Sequence, residues 1–165
     1  MPDAYPLESL LSVRRFREEA AKRGVVVAQS QHKAAAEALE RARAELEAWR
    51  AWKAAEVERR YDALIGSRVS IKALTAFNAG LAELADGELA KRMAVDDAGR
   101  ALEAARKRIE EARRAVHTSR QNTAKIEAHK SLWSEDYKRE VERAQEREFE
   151  DFKPVNRLGA GGDDV

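Results

Sequence analysis

Three observations predict an all-α fold of two long helices in an antiparallel coiled-coil hairpin. First, the 165-residue chain has no proline between Pro6 and Pro154. Second, its apolar residues follow a helical stripe that breaks once, near Gly66. Third, the stripe steps by alternate threes and fours. Val25, Ala28, His32, Ala35, Leu39, Ala42, Leu46 and Trp49 show it before the break. Leu102, Ala105, Ile109, Ala112, Val116, Ser119, Thr123 and Ile126 show it after. That alternation averages 3.5 residues, the seam of a left-handed coiled coil. Such a shape leaves little room for an enclosed pocket, so function is expected on its ends and flanks.

The first helix is expected from about residue 6 to 65. Pro6 suits the first helical position, where a missing N–H costs nothing. Sixty residues of helix would measure about 90 Å. Gly24 costs about 1 kcal/mol relative to alanine. It also coincides with a shift of phase, because Leu7, Leu10, Val13, Phe16 and Ala20 do not run straight into the seam that follows. A second slip is expected after Trp49, where the stripe resumes at Val57, Tyr61 and Leu64 through Lys53; an inserted step of this kind locally unwinds a supercoil. Residues 66–70 form the turn, with Gly66 past the end of the first helix and Ser70 capping the second.

The second helix is expected over about 71–152, with Asp86-Gly87 as a candidate break. Lys153-Pro154 stops it, and 154–165 is expected to be a disordered tail, so that the hairpin domain is 1–153. Folding the chain at residue 68 sets Leu64 near Lys72, Trp49 near Gly87, Val25 near Glu111 and Leu7 near His129. The second helix is then the longer one, and Lys130 to Phe152 project beyond the first. This overhang keeps a stripe of Trp133, Tyr137, Val141, Ala144, Phe149 and Phe152, and an amphipathic face without an internal partner calls for an external one.

Composition excludes several classes. The chain is 37% charged and 6% aromatic, with a net charge of +1, the signature of a long helix rather than of a nucleic-acid binder with a basic surplus. Its charges interleave, as in Lys107-Arg108-Ile109-Glu110-Glu111, which suits a solvated face of i,i+4 pairs. The absence of cysteine removes disulfide and thiolate chemistry and fits a reducing compartment. No apolar run approaches the ~20 residues that span a bilayer, and the first residues lack the order of a signal peptide. A cytoplasmic protein without direct membrane insertion is expected. His32, His117 and His129 have no ligand spacing for a metal. Gly159-Ala160-Gly161-Gly162 is not followed by the Lys-Ser/Thr of a phosphate loop, and no constellation supports acid–base or nucleophilic catalysis. The chain is read as a non-enzyme without cofactor or metal.

Three features remain for function. No acid occurs between Asp62 and Glu83, a window that holds Arg68, Val69, Ile71, Lys72, Leu74 and Phe77. This tip either docks on an acidic or apolar groove, or its apolar residues cap the hairpin core. Trp49 and Trp52 share a helix face beside Tyr61; Trp49 is expected in the seam and Trp52 in a contact, since large exposed aromatics anchor interfaces. The overhang is acidic, with eight acids and four bases from Glu135 to Phe152, whereas Arg100 to Lys130 has nine bases and four acids. That separation suits different partners along one rod, or simply a solvated helix.

Tyr5-Pro6-Leu7, Leu10, Val13-Arg14 and Arg17-Glu18 resemble the start of the YscO proteins of bacterial type III secretion. Trp49-Arg50-Ala51-Trp52, Glu56, Glu58-Arg59, Tyr61, Leu64 and Gly66 are similar to that family's segment before the turn, and residues 5 to about 152 share the likeness. The flagellar relative is FliJ. The resemblance implies a stalk like the central subunit of rotary ATP synthases, standing between a hexameric secretion ATPase and the cytoplasmic ring of the export gate, and binding export chaperones. It implies a monomer when free, in the cytoplasm at the periphery of the inner-membrane apparatus. Arg14, Arg15, Arg17, Trp133, Tyr137 and Val141 would then meet the ATPase. Trp52, Tyr61, Arg68, Val69, Ile71 and Lys72 would meet the gate or chaperones. The alternative is a generic coiled-coil scaffold or adaptor that dimerises through the overhang.

Overall fold

In the computed structural model, which describes residues 4–151, two helices are joined by one turn: α1 (Glu8–Asp62) and α2 (Ile71–Asp151). No strand occurs among the described residues. Phe152, the Lys153-Pro154 stop and the Gly-rich tail lie outside them. Both helices follow from composition: long runs of Ala, Glu, Arg, Lys and Leu lose little rotamer freedom in a helix.

The ends differ from expectation in small ways. Pro6 sits not in the first helical position but in the turn before α1, where the Glu8 N–H bonds the Tyr5 carbonyl at 3.2 Å. α1 stops at Asp62, three residues early, because the chain tightens: the Leu64 N–H turns back to the Tyr61 carbonyl at 2.9 Å, a three-residue reach. Gly66 then takes φ +80°, a left-handed conformation that costs glycine little. The Ser70 hydroxyl accepts from the Ala73 N–H at 3.1 Å and caps α2, as its position predicts. α2 runs unbroken through Asp86-Gly87.

The chain divides into two compact units. One is Glu19–Thr118; the other joins the stretch up to Glu18 with that from Ser119 onward. In the larger unit the helices run antiparallel: Lys91 pairs with Glu45 at 2.7 Å, Arg50 with Glu88 at 3.1 Å and Lys53 with Glu88 at 2.8 Å. Its buried residues are Ala28, Leu39, Leu46, Leu84 and Ala105. Half-buried positions continue their 3-4 rhythm, through Val25, His32, Ala35, Ala42 and Trp49 on α1 and Leu102, Ile109, Ala112 and Val116 on α2. After Trp49 the expected Val57 and Leu64 are half-buried, and charged residues share the inward places with them. These are Lys53, Glu56 and Arg60, and Tyr61 stays half exposed.

The smaller unit is also antiparallel. Glu8 pairs with Lys130 at 2.6 Å, Arg15 with Glu127 at 2.8 Å, and Glu18 with Arg120 at 3.7 Å. Leu11 is fully buried. Thr123 is buried and donates to its own Ser119 carbonyl at 3.1 Å, which satisfies the hydroxyl within the helix. Here the expected phase shift is absent. The inward places go to Leu7, Leu11, Arg14 and Glu18, and Leu10, Val13 and Phe16 face outward. The apolar residues misled the reading because charged ones keep the seam in step.

A side chain built at Gly24 or Gly99 meets nothing within 4 Å, and both residues lie inside helices. Neither glycine serves packing. Gly24→Ala and Gly99→Ala are each expected to stabilise the chain by about 1 kcal/mol through helix propensity alone. Chemical denaturation checks this as a raised midpoint at unchanged slope.

Candidate docking surfaces

The turn of the larger unit is an exposed apolar tip. Ile65, Val69, Ile71 and Leu74 are 76%, 40%, 86% and 50% exposed, and Arg68 and Lys72 are exposed among them. Ile71 and Leu74 therefore do not cap the core. That task falls to Phe77, half-buried and edge-on to Tyr61 with ring centroids 5.0 Å apart. Ile65 escaped the sequence reading because it falls at the expected end of a helix. Its exposure follows from the early stop at Asp62.

Trp52 lies away from this tip. It is half exposed and packs against Trp49 at 4.9 Å. Trp49 occupies the inward place, and a methyl built on Gly87 would overlap its Cζ2 and come within 3.0 Å of Cε2 and Cη2. Gly87 is thus the hole that admits the indole, and its missing side chain reads as a packing requirement rather than a helix break. The indole Nε1 is buried with no hydrogen-bond partner among the protein atoms.

Next to Gly87 on α2, Glu88 collects three cations. Lys53 donates at 2.8 Å, Arg50 at 3.1 Å and Arg92 at 2.8 Å. These contacts, Lys53 first, hold its carboxyl down at about 2. Glu56 is likewise held at about 2, by Arg59 and then Arg60. Glu88 was not singled out from the sequence, where it looks like an ordinary member of a charged face, and Glu56 entered only through the family resemblance. Glu88 is depressed in the folded chain, so its contribution is complete above the ordinary carboxylate range and is lost as pH falls through that range towards about 2. The stability gap between the native chain and Glu88→Gln is therefore expected to be constant near neutrality and to close between about pH 5 and about pH 2. Urea melts across that interval measure it.

The smaller unit holds an aromatic cluster that its sequence only half announced. Tyr5 is buried, and its hydroxyl meets His129 Nδ1 at 2.7 Å. Trp133 packs on Tyr5 at 5.5 Å and stacks on Tyr137 at 5.4 Å, the two planes 12° apart. Lys130 Nζ lies 5.9 Å above the Tyr5 ring. Tyr5 thus covers the first part of the expected overhang, and Trp133 and Tyr137 are half-buried. The bare segment starts later: every residue from Lys138 to Glu150 is exposed. Val141 and Phe149 are 37% and 78% exposed within it. A contact across 124 residues between a lead-in tyrosine and a histidine leaves no local signal in a sequence.

The three arginines near the start of α1 point to different surroundings. Arg14 turns inward, with a buried Nε that has no hydrogen-bond partner among the protein atoms. Arg15 is held by Glu127 through both Nε and Nη2. Arg17 is exposed. The residues expected to meet one partner, Arg14, Arg15, Trp133 and Tyr137, do gather in one unit. Of those expected to meet another, Arg68, Val69, Ile71 and Lys72 share the tip, Tyr61 supports it through Phe77, and Trp52 stands apart. Among the described residues, no three or more His, Cys, Asp or Glu side chains are placed to hold a metal ion. No helix among them is long and apolar enough to cross a membrane.

These features define an all-α helical hairpin with exposed apolar residues at its turn and on a bare stretch of helix. A family model described as type III secretion protein YscO matches residues 7–155. The chain belongs to that family and is a component of type III secretion. Two solved structures share the fold. The crystal structure of type III secretion protein YscO from Vibrio parahaemolyticus is 20% identical with a TM-score of 0.85, covering 89% of this chain and 92% of that one. A structure of a YscO homologue, CT670, from Chlamydia trachomatis is 21% identical with a TM-score of 0.71, covering 91% and 92%. No curated protein sequence matches the chain.

Proposed function

We propose that this chain is the stalk that couples a hexameric secretion ATPase to the cytoplasmic ring of the export gate, and that it also receives export chaperones. The observation that carries the reading is the bare helix beyond Tyr137, exposed at every residue from Lys138 to Glu150. A helix of this kind, next to a fixed aromatic cluster, supplies a firm projection for the mouth of a ring. The cluster of Tyr5, Trp133 and Tyr137 sets the direction of that projection, and Arg17 with Val141 supplies contacts. The acid-free tip offers Arg68, Val69, Ile71 and Lys72 to the gate or to chaperones, with Trp52 as a separate aromatic contact. The chemistry is mechanical. An asymmetric helix inside a six-fold ring makes the six sites inequivalent, so hydrolysis biases its orientation.

The test is ATP hydrolysis by the cognate ATPase with and without the purified chain. The native chain is expected to raise the rate. Val141→Asp with Phe149→Asp is expected to remove at least about nine-tenths of that rise, as loss of interface anchors does, without lowering the melting midpoint. A chain that leaves hydrolysis unchanged would sink the reading.

A further inference from the structure

The smaller unit leaves two apolar faces exposed, and their charges are opposite. On the outer side of α1, Leu10, Val13 and Phe16 are 37%, 46% and 68% exposed. At 100° per residue they fall within a sector of about 120° that also holds Arg17. The acids of this stretch turn away from it, Glu8 to Lys130 and Glu18 to Arg120. The face is therefore apolar and basic. Along the bare part of α2, Val141, Ala144 and Phe149 fall within a sector of about 140°. By the same geometry Glu148 lies within that sector and Glu140 and Glu142 border it, with Lys138 as the base inside it, and the stretch from Lys138 to Asp151 holds six acids and four bases. This second face is apolar and net acidic.

We propose that a second copy of this chain occupies both faces, the acidic overhang of each protomer lying on the basic outer face of α1 in its partner. The lengths agree: the overhang from Lys138 to Asp151 measures about 21 Å, and α1 from Glu8 to Glu18 about 16 Å. The register agrees as well. Glu8 lies level with Lys130 and Glu18 with Arg120, so Leu10 lies level with residue 128. A two-fold axis close to Ser134 then brings Val141 of one protomer beside Leu10 of the other, and the reverse. Such an isologous pairing buries each face twice and closes on itself. Opposite charge sets the pairing and makes it sensitive to salt. This dimer departs from the free monomer that the family resemblance implies. If the overhang also enters the ATPase, dimer and ATPase complex exclude each other; that consequence rests on the stalk reading, and the dimer does not.

The chain has no cysteine, which makes the test direct. Leu10→Cys and Val141→Cys, both at exposed positions, are prepared as separate full-length chains and mixed under mild oxidation. The mixture is expected to give a disulfide-linked heterodimer, and each variant alone to give little. Sedimentation equilibrium of the cysteine-free chain is expected to show a monomer–dimer equilibrium, with Arg17→Glu raising the dissociation constant about tenfold. Cross-linking as strong within each variant as in the mixture overturns the pairing. So does a chain that stays monomeric up to about 0.5 mM, in the range where only marginal association energies remain. Failed cross-linking with intact ATPase stimulation removes the dimer alone; successful cross-linking with no stimulation removes the stalk reading alone.

Discussion

Replacing Gly87 with leucine is expected to destabilise the chain by about 3 kcal/mol, at the upper end of the range for overpacking a filled site. The reason is specific to this glycine. Even a methyl there overlaps Cζ2 of Trp49, and an outward shift of the indole would disturb its packing on Trp52 at 4.9 Å. Alanine sets two effects against each other. It gains about 1 kcal/mol of helix propensity and loses more to the clash, for a net loss of about 1 kcal/mol. The same substitution at Gly24 or Gly99, where nothing lies within 4 Å, gains propensity and loses nothing. Thermal melts of Gly24→Ala, Gly87→Ala and Gly99→Ala should therefore differ in sign. Trp49→Leu should relieve Gly87→Ala, so that the double variant is no less stable than Trp49→Leu alone, a coupling that a double-mutant cycle reads directly. A Gly87→Ala variant as stable as Gly99→Ala would show that the indole does not sit in this hole.

The sequence made the helical hairpin readable because alanine and leucine mark the seam openly over Val25–Trp49 and Leu102–Ile126. It also placed Trp49 opposite Gly87 by simple folding at the turn. It failed where charge takes an inward place. Arg14 and Glu18 carry the seam through the start of α1, and Lys53, Glu56 and Arg60 share it with the expected Val57 and Leu64 towards the end. Long charged side chains can lay their stems along a seam and keep their heads near water. An apolar pattern registers such positions as slips. The same rule hid the outward stripe of Leu10, Val13 and Phe16. At the tip, the acid-free window was visible in the sequence, but the exposure of Ile65 and Ile71 depended on where α1 stops, a matter of two or three residues. The Tyr5–His129 contact was the least legible, since only the folded chain brings those residues together.

The tip carries the other large expected effect. Val69 and Ile71 are 40% and 86% exposed and rest on a turn fixed by Gly66 and the Ser70 cap. Neither supports the seam, which Phe77 closes against Tyr61. Aspartate at both positions should leave the fold intact while it places two negative charges in a window that has no acid between Asp62 and Glu83. Burying an unpaired carboxylate in an apolar contact is costly enough to abolish docking. Secretion is expected to fall to roughly a tenth or less, the loss typical of removed interface anchors.

The most direct test of the coupling role is to measure secretion in cells and ATPase stimulation in vitro with the same Val69→Asp, Ile71→Asp chain. Coupling through two separate contacts predicts that secretion is lost while stimulation of the ATPase is kept. Loss of both together, with the melting midpoint unchanged, would contradict the assignment of the tip to the gate and of the bare helix to the ATPase.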